Sequence, residues 1–180
     1  MKDMAFQMLD AFRARNQKSL RKINDVVLKE ASLDFTSTAY ELAVLSYVLS
    51  KIVSKPRFLG KEAAPRIRKI EDEVRSLVQE LGTGREEAVA ASFKRIATAI
   101  GQLEKLDPRF VRDLVSKGRL KTAATMYAQG ISLGLASEMT GISKQDILSY
   151  AGRTMMFDRI KEEMPVAERL KAARRALGGA

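Results

Sequence analysis

The chain has 180 residues, 46% hydrophobic and 30% charged, which suits one globular domain or two small ones and is too apolar for a disordered chain. It contains no Cys and no His, which excludes disulfides, thiolate nucleophiles, the usual zinc ligands and the commonest general base; no catalytic constellation can be named, so we expect no enzyme, no cofactor and no metal site. The net charge of +10 favours polyanionic partners, nucleic acid first among them.

The first sixteen residues, MKDMAFQMLDAFRARN, lack the unbroken apolar run of a signal peptide, and no stretch approaches about 18 uncharged apolar residues. The sequence therefore predicts a cytoplasmic chain with no membrane contact, and the lack of Cys suits a reducing compartment. From the start the spacing is helical. Met4, Met8, Leu9 and Phe12 form one stripe; Leu20, Ile23, Val27 and Leu28 form the next. Thr38 and Glu41 read as a capping box that opens AYELAVLSYVLSKIV, a helix apolar nearly all round and so the expected hub of a bundle. Pro56, Gly60 and Pro65 interrupt the pattern, and Pro65 suits the first turn of the next helix. That helix buries Ile67, Ile70, Val74, Leu77, Val78 and Leu81, with Gly82 as its stop. Glu62, Glu71, Asp72, Glu73 and Glu80 lie along it and read as one solvated face. Thr83 and Glu86 read as a second capping box before the stripe Val89, Phe93, Ile96, Ile100 and Leu103. The Gly82–Gly84 triplet lacks the strand, the Lys and the spacing of a phosphate-binding loop.

Residues 1–106 thus read as a helical bundle. Asp107 as N-cap and Pro108 at the first helical position mark a new helix and the best internal boundary, which gives a second region, residues 107–180. No long linker intervenes, so the two regions should pack together. Leu120, Ala123, Ala124 and Tyr127 recur at helical spacing, and Gly130 ends that helix. Ser132 caps a short helix with Leu133, Ala136 and Met139 inward. Gly141 then supplies a left-handed turn, Ile142 plugs the core beneath it, and Ser143 with Asp146 caps a last helix held by Ile147 and Tyr150. Two short helices joined by such a turn are the layout of a helix-turn-helix.

The run Ala-Ser-Glu-Met-Thr-Gly-Ile-Ser, residues 136–143, with its entry Gly-Ile-Ser-Leu-Gly, resembles the helix-turn-helix of small prokaryotic antitoxins and related archaeal DNA-binding regulators. The resemblance covers about residues 119–153, roughly a fifth of the chain. It implies that the second helix enters the major groove of duplex DNA. On this sequence the outward residues would be Ser143, Lys144, Gln145, Ser149 and Arg153, with Lys and Arg suited to guanine and Gln to adenine. Leu148 falls near the same side. There it either meets a thymine methyl or is covered by protein.

Residues 131–160 are charge-neutral and are flanked by basic segments. One carries Arg109, Arg112, Lys117, Arg119 and Lys121; the other carries Arg169, Lys171, Arg174 and Arg175. The second set reads as phosphate contacts, which position a protein on DNA without specifying sequence. Val166, Leu170, Ala173 and Leu177 have heptad spacing, suited either to a dimer or to docking on the protein's own body. Met155, Met156 and Phe157 read as core filling. The expectation is an all-α protein, an N-terminal helical bundle followed by a helix-turn-helix-containing C-terminal segment, that acts on duplex DNA as a homodimeric regulator or architectural factor. The alternative is a helical protein–protein interaction module, an adaptor or antitoxin-like partner with no nucleic-acid role.

Overall fold

The computed structural model describes residues 1–106 and 113–159, together with positions 170, 171 and 174. Among these residues the only regular structure is helical. The first region holds α1 (Lys2–Arg13), α2 (Gln17–Leu33), α3 (Ser37–Val53), a 3-10 turn (Pro56–Leu59), α4 (Ala64–Thr83) and α5 (Glu86–Glu104). The second holds α6 (Leu114–Ala128), α7 (Leu133–Thr140), α8 (Lys144–Arg153) and the single turn α9 (Met156–Arg159). No described helix is long and apolar enough to cross a membrane.

Helix α3 is the hub because it has no polar face to give to water. It buries Leu42, Ala43, Val44, Leu45, Val48, Leu49 and Ile52 in succession and touches α1, α2, α5 and α6. The amide of Asn24 on α2 donates to the Ala43 carbonyl (2.7 Å) and to Ser46 Oγ (2.9 Å), so two polar atoms inside the α2–α3 contact are satisfied. Helices α4 and α5 pair with each other, and α1 lies against α4. The apolar stripes expected from the sequence line this core, with Met4, Ile23, Val78, Leu81 and Phe93 at its edge.

Several helix ends differ from expectation. Thr36, not Thr38, caps α3, its Oγ1 accepting from the Ala39 N–H at 3.1 Å. Glu41 closes no capping box; it is turned towards Arg119, 78 residues away. Helix α4 runs through Gly82 and stops at Gly84, whose φ of 70° is the left-handed cap geometry. Thr83 and Glu86 do not form a box either. Thr83 is still helical and its hydroxyl donates to the Glu80 carbonyl, while Arg85 precedes α5 without a side-chain cap. The acidic residues of α4 are not one solvated face: Glu73 is buried and takes Lys69 (2.6 Å) and Arg95 of α5 (2.9 Å), and Glu71 reaches Arg15 of α1 (3.3 Å). Carboxylates that look local in sequence here tie helices together.

Candidate functional site

Helix α6 carries the second region. Asp113 caps it, accepting from the Ser116 N–H at 2.8 Å. The expected start at Asp107 and Pro108, like Arg109 and Arg112, lies outside the described residues. The helix is buried on two opposite sides. Leu114, Gly118, Thr122 and Met126 recur every four residues and face the bundle; Ala123, Ala124 and Tyr127 face α7 and α8. The bundle contact is close at Gly118, where a Cβ would stand 2.9 Å from Val48 Cγ2. Around it, the Tyr40 hydroxyl donates to the Arg119 carbonyl (3.4 Å), the Arg119 guanidinium meets the Glu41 carboxylate (2.5 Å), and the Ser32 hydroxyl donates to Gln129 Oε1 (2.9 Å). Burial pushes the Glu41 carboxyl above its ordinary range, and Arg119 only partly offsets this.

The turn follows the sequence reading closely. Ser132 Oγ accepts from the Leu135 N–H (3.2 Å). Gly141 has φ of 69° and donates its N–H to the Ser137 carbonyl (2.9 Å). Ser143 Oγ accepts from the Asp146 N–H (3.1 Å) and donates to Asp146 Oδ2 (2.7 Å), so α8 begins with a satisfied cap and an acidic first turn. Beneath it lies a second, small core of Ala123, Ala124, Ala136, Ile147, Ala151 and Met156, edged by Leu133, Ile142 and Tyr150.

Among the described residues nothing covers the outer side of α8. Ser143, Lys144, Gln145, Ser149 and Arg153 are all exposed, and Leu148 among them is 48% exposed. At 3.6 residues per turn Gln145, Leu148, Ser149 and Gly152 form the middle of this face, with Lys144 and Arg153 at its two edges. Lys144 leans towards α7; its ammonium lies 4.0 Å from where a Cβ on Gly134 would stand. Arg153 folds back along the helix, its Nε donating to the Ser149 carbonyl at 3.2 Å. Met156 is core, as expected, whereas Met155 is 65% exposed and Phe157 half-exposed with its ring edge-on to Tyr127 at 5.2 Å. Of the basic C-terminal set, Lys171 and Arg174 are helical and exposed beside Leu170; Arg169, Arg175, Val166, Ala173 and Leu177 fall outside the described residues.

Two groupings escaped the sequence reading. An open groove of about 360 Å³ between α4 and α5 is lined by Arg66, Lys69, Lys94 and Arg95 around Glu73. Lys69 and Arg95 both pair with Glu73, and Lys69 first and then Arg95 hold its carboxyl below the usual range. The other surrounds Tyr47. The Lys51 and Lys121 ammonium groups lie 5.4 and 4.3 Å from its ring centre. Burial, and then the nearby Tyr150 phenol of α8, push the Tyr47 hydroxyl up to about 12. No family model, curated protein or solved structure matches this chain.

Proposed function

We propose that this protein binds duplex DNA through the outer face of α8, as a regulator or architectural factor of the cytoplasm, and that it does so as a dimer because one such helix reads few base pairs alone. The observation that carries this reading is the bare face itself: Ile147, Tyr150 and Ala151 hold α8 from one side, and no described residue covers Gln145, Leu148 or Ser149 on the other. A ten-residue helix is about 15 Å long, and its diameter of about 10–12 Å fits a major groove about 12 Å wide. In this reading Gln145 and Ser149 reach base edges, Leu148 meets a thymine methyl, and Lys144 and Arg153 work from the two edges. Backbone contacts come from Arg169, Lys171, Arg174 and Arg175. The turn and its caps also support the resemblance to antitoxin-type regulators.

A second reading has one observation in its favour. Leu135, Leu148, Met155 and Phe157 are all 45% exposed or more, an apolar content that a protein partner would cover better than DNA. A fluorescence titration with random duplex at two salt concentrations separates the readings. DNA binding predicts affinity that falls with salt, and Gln145→Ala should cost about 1–3 kcal/mol on a preferred site while leaving random duplex almost unaffected. Absence of binding at both salt concentrations removes the DNA reading and leaves the protein partner.

A further inference from the structure

We infer that Arg21, Lys51, Lys55 and Lys121, drawn together about Tyr47 where α3 meets α6, form a second phosphate-backbone contact for the duplex carried by α8. The inference rests on the DNA reading and moves part of the backbone contact from the C-terminal segment onto the bundle.

The cluster follows from three elements that the fold brings to one place. Tyr47 and Lys51 are one helical turn apart on α3, and Lys55 follows just past its end. Lys121 is one turn beyond Lys117 on α6, the helix whose Gly118 allows it to close on Val44, Tyr47 and Val48. Arg21 comes from α2. Both lysine ammonium groups use the Tyr47 ring, an arrangement that holds two like charges near one aromatic ring. Arg21 and Lys55 stand close enough to Lys51 that, after burial, they add to the lowering of its pKa.

Part of the molecule's positive charge is already paired. Arg15, Lys69, Arg85, Arg95 and Arg119 each have a carboxylate partner. Among the described residues neither Arg21, Lys51 nor Lys55 stands within ion-pair distance of one. Gathering like charges costs folding free energy, and an anion placed over them recovers it. The position selects the anion. Helix α6 packs against both α3 and α8, and Tyr150 shares a flank of α8 with Arg153, three residues on. A duplex whose groove takes the Gln145–Ser149 face therefore brings one of its bordering strands along the Arg153 edge and over the Tyr47 cluster. The strand on the other border passes Lys144 and the start of α7.

The test uses the full chain and a random-sequence 20-base-pair duplex, with affinity read by anisotropy across a salt series. One variant combines Arg21→Gln, Lys51→Gln and Lys55→Gln. The control removes the same charge elsewhere through Lys61→Gln, Arg68→Gln and Lys94→Gln. Cluster removal should flatten the slope of log affinity against log salt by about 0.9 for each phosphate no longer neutralised, and weaken binding at least tenfold. The control should stay within about twofold of the parent. Thermal melting of the cluster variant should be unchanged or higher, because like charges have been removed. Equal slopes for the two variants overturn this inference and leave the DNA reading standing. A parent chain that binds no duplex, or only anionic vesicles, overturns the DNA reading and this inference with it.

Discussion

The two cores of this molecule are built from different materials. The bundle core is filled by large side chains such as Phe12, Leu20, Leu42, Leu49, Ile52, Ile67 and Ile70. The core under the turn holds four alanines with Ile147 and Met156. Burial stabilises by about 25 cal/mol per Å² of apolar surface, so alanines contribute little each, and the second core is too lean to hold three helices alone. It stands because α6 belongs to both cores, with Leu114 and Met126 in the first and Ala123 and Ala124 in the second. A close-packed alanine interface gives geometry at small energetic return; the bundle supplies the stability.

The contrast can be broken most forcefully by truncating one large side chain in each core. Leu49→Ala and Ile147→Ala each remove a fully buried residue and should cost about 2–5 kcal/mol locally. The consequences should differ. Leu49→Ala should lower the melting of the whole chain, and α3 amides should be the slowest to exchange in the parent. Ile147→Ala should open residues 133–159 to hydrogen exchange while α3 stays protected. Loss of α3 protection in the Ile147 variant would mean that the two cores unfold as one.

Gly118→Val comes next. Its side chain would run into Val48, already 2.9 Å from a Cβ at that position, and overpacking of this kind costs about 1–3 kcal/mol. Exchange should rise in α6, α7 and α8 together, because their shared anchor is displaced. Unchanged melting would show that α6 does not rely on its packing against α3.

Gly141 isolates the backbone from packing. Nothing lies within 4 Å of a Cβ there, so a substitution is felt through φ alone. Gly141→Val should cost about 1–2 kcal/mol, and Gly141→Asn distinctly less, since Asn tolerates the left-handed region. Equal melting temperatures for the two variants would contradict a turn that needs positive φ.

The smallest effect tests the bundle's internal pair network. Lys69 and Arg95 hold the Glu73 carboxyl below the ordinary range, so the charged form stabilises the fold. That contribution is complete above the unfolded-state pKa, near 4.5, and is lost as pH falls through the lower folded-state value. Glu73→Gln should therefore cost about 1 kcal/mol at neutral pH, a modest figure because both partners are substantially exposed. The gap between parent and variant should close in acid. A gap that widens there would reverse the assigned sign.

Much of this architecture is legible in the chain itself. The helical stripes, the Ser132 and Ser143 caps, the Gly141 turn and the inward Ala136 and Ile147 all depend on residues within one or two turns of each other, which is the range over which sequence spacing carries structural information. The exposure of Lys144, Gln145 and Ser149 follows from the same register. Thr38 misleads because Thr36 offers the same chemistry two residues earlier, and Glu41, its expected box partner, is claimed by Arg119. Glu73 carries a usable sign: it falls in line with Ile70, Val74 and Leu77 on the buried stripe of α4, and that position outweighs its acidic neighbours. The cluster at Tyr47 carries none, since its four cations come from α2, from α3 and the residues after it, and from α6, and only the packing of α2 and α6 on α3 unites them.

The contacts at Gly118 also set an order of assembly. Tyr40 reaches Arg119 across 79 residues and Ser32 reaches Gln129 across 97, while the small core closes within residues 123–156. At roughly 5–20 residues per second, a ribosome completes α1–α5 about 1–5 s before α6 is complete. During that interval the nascent chain presents Val44, Tyr47 and Val48 with no helix against them from the second region. Translational pausing before residue 114 prolongs the exposure of this apolar strip, and a chaperone acting on the nascent chain would meet it there.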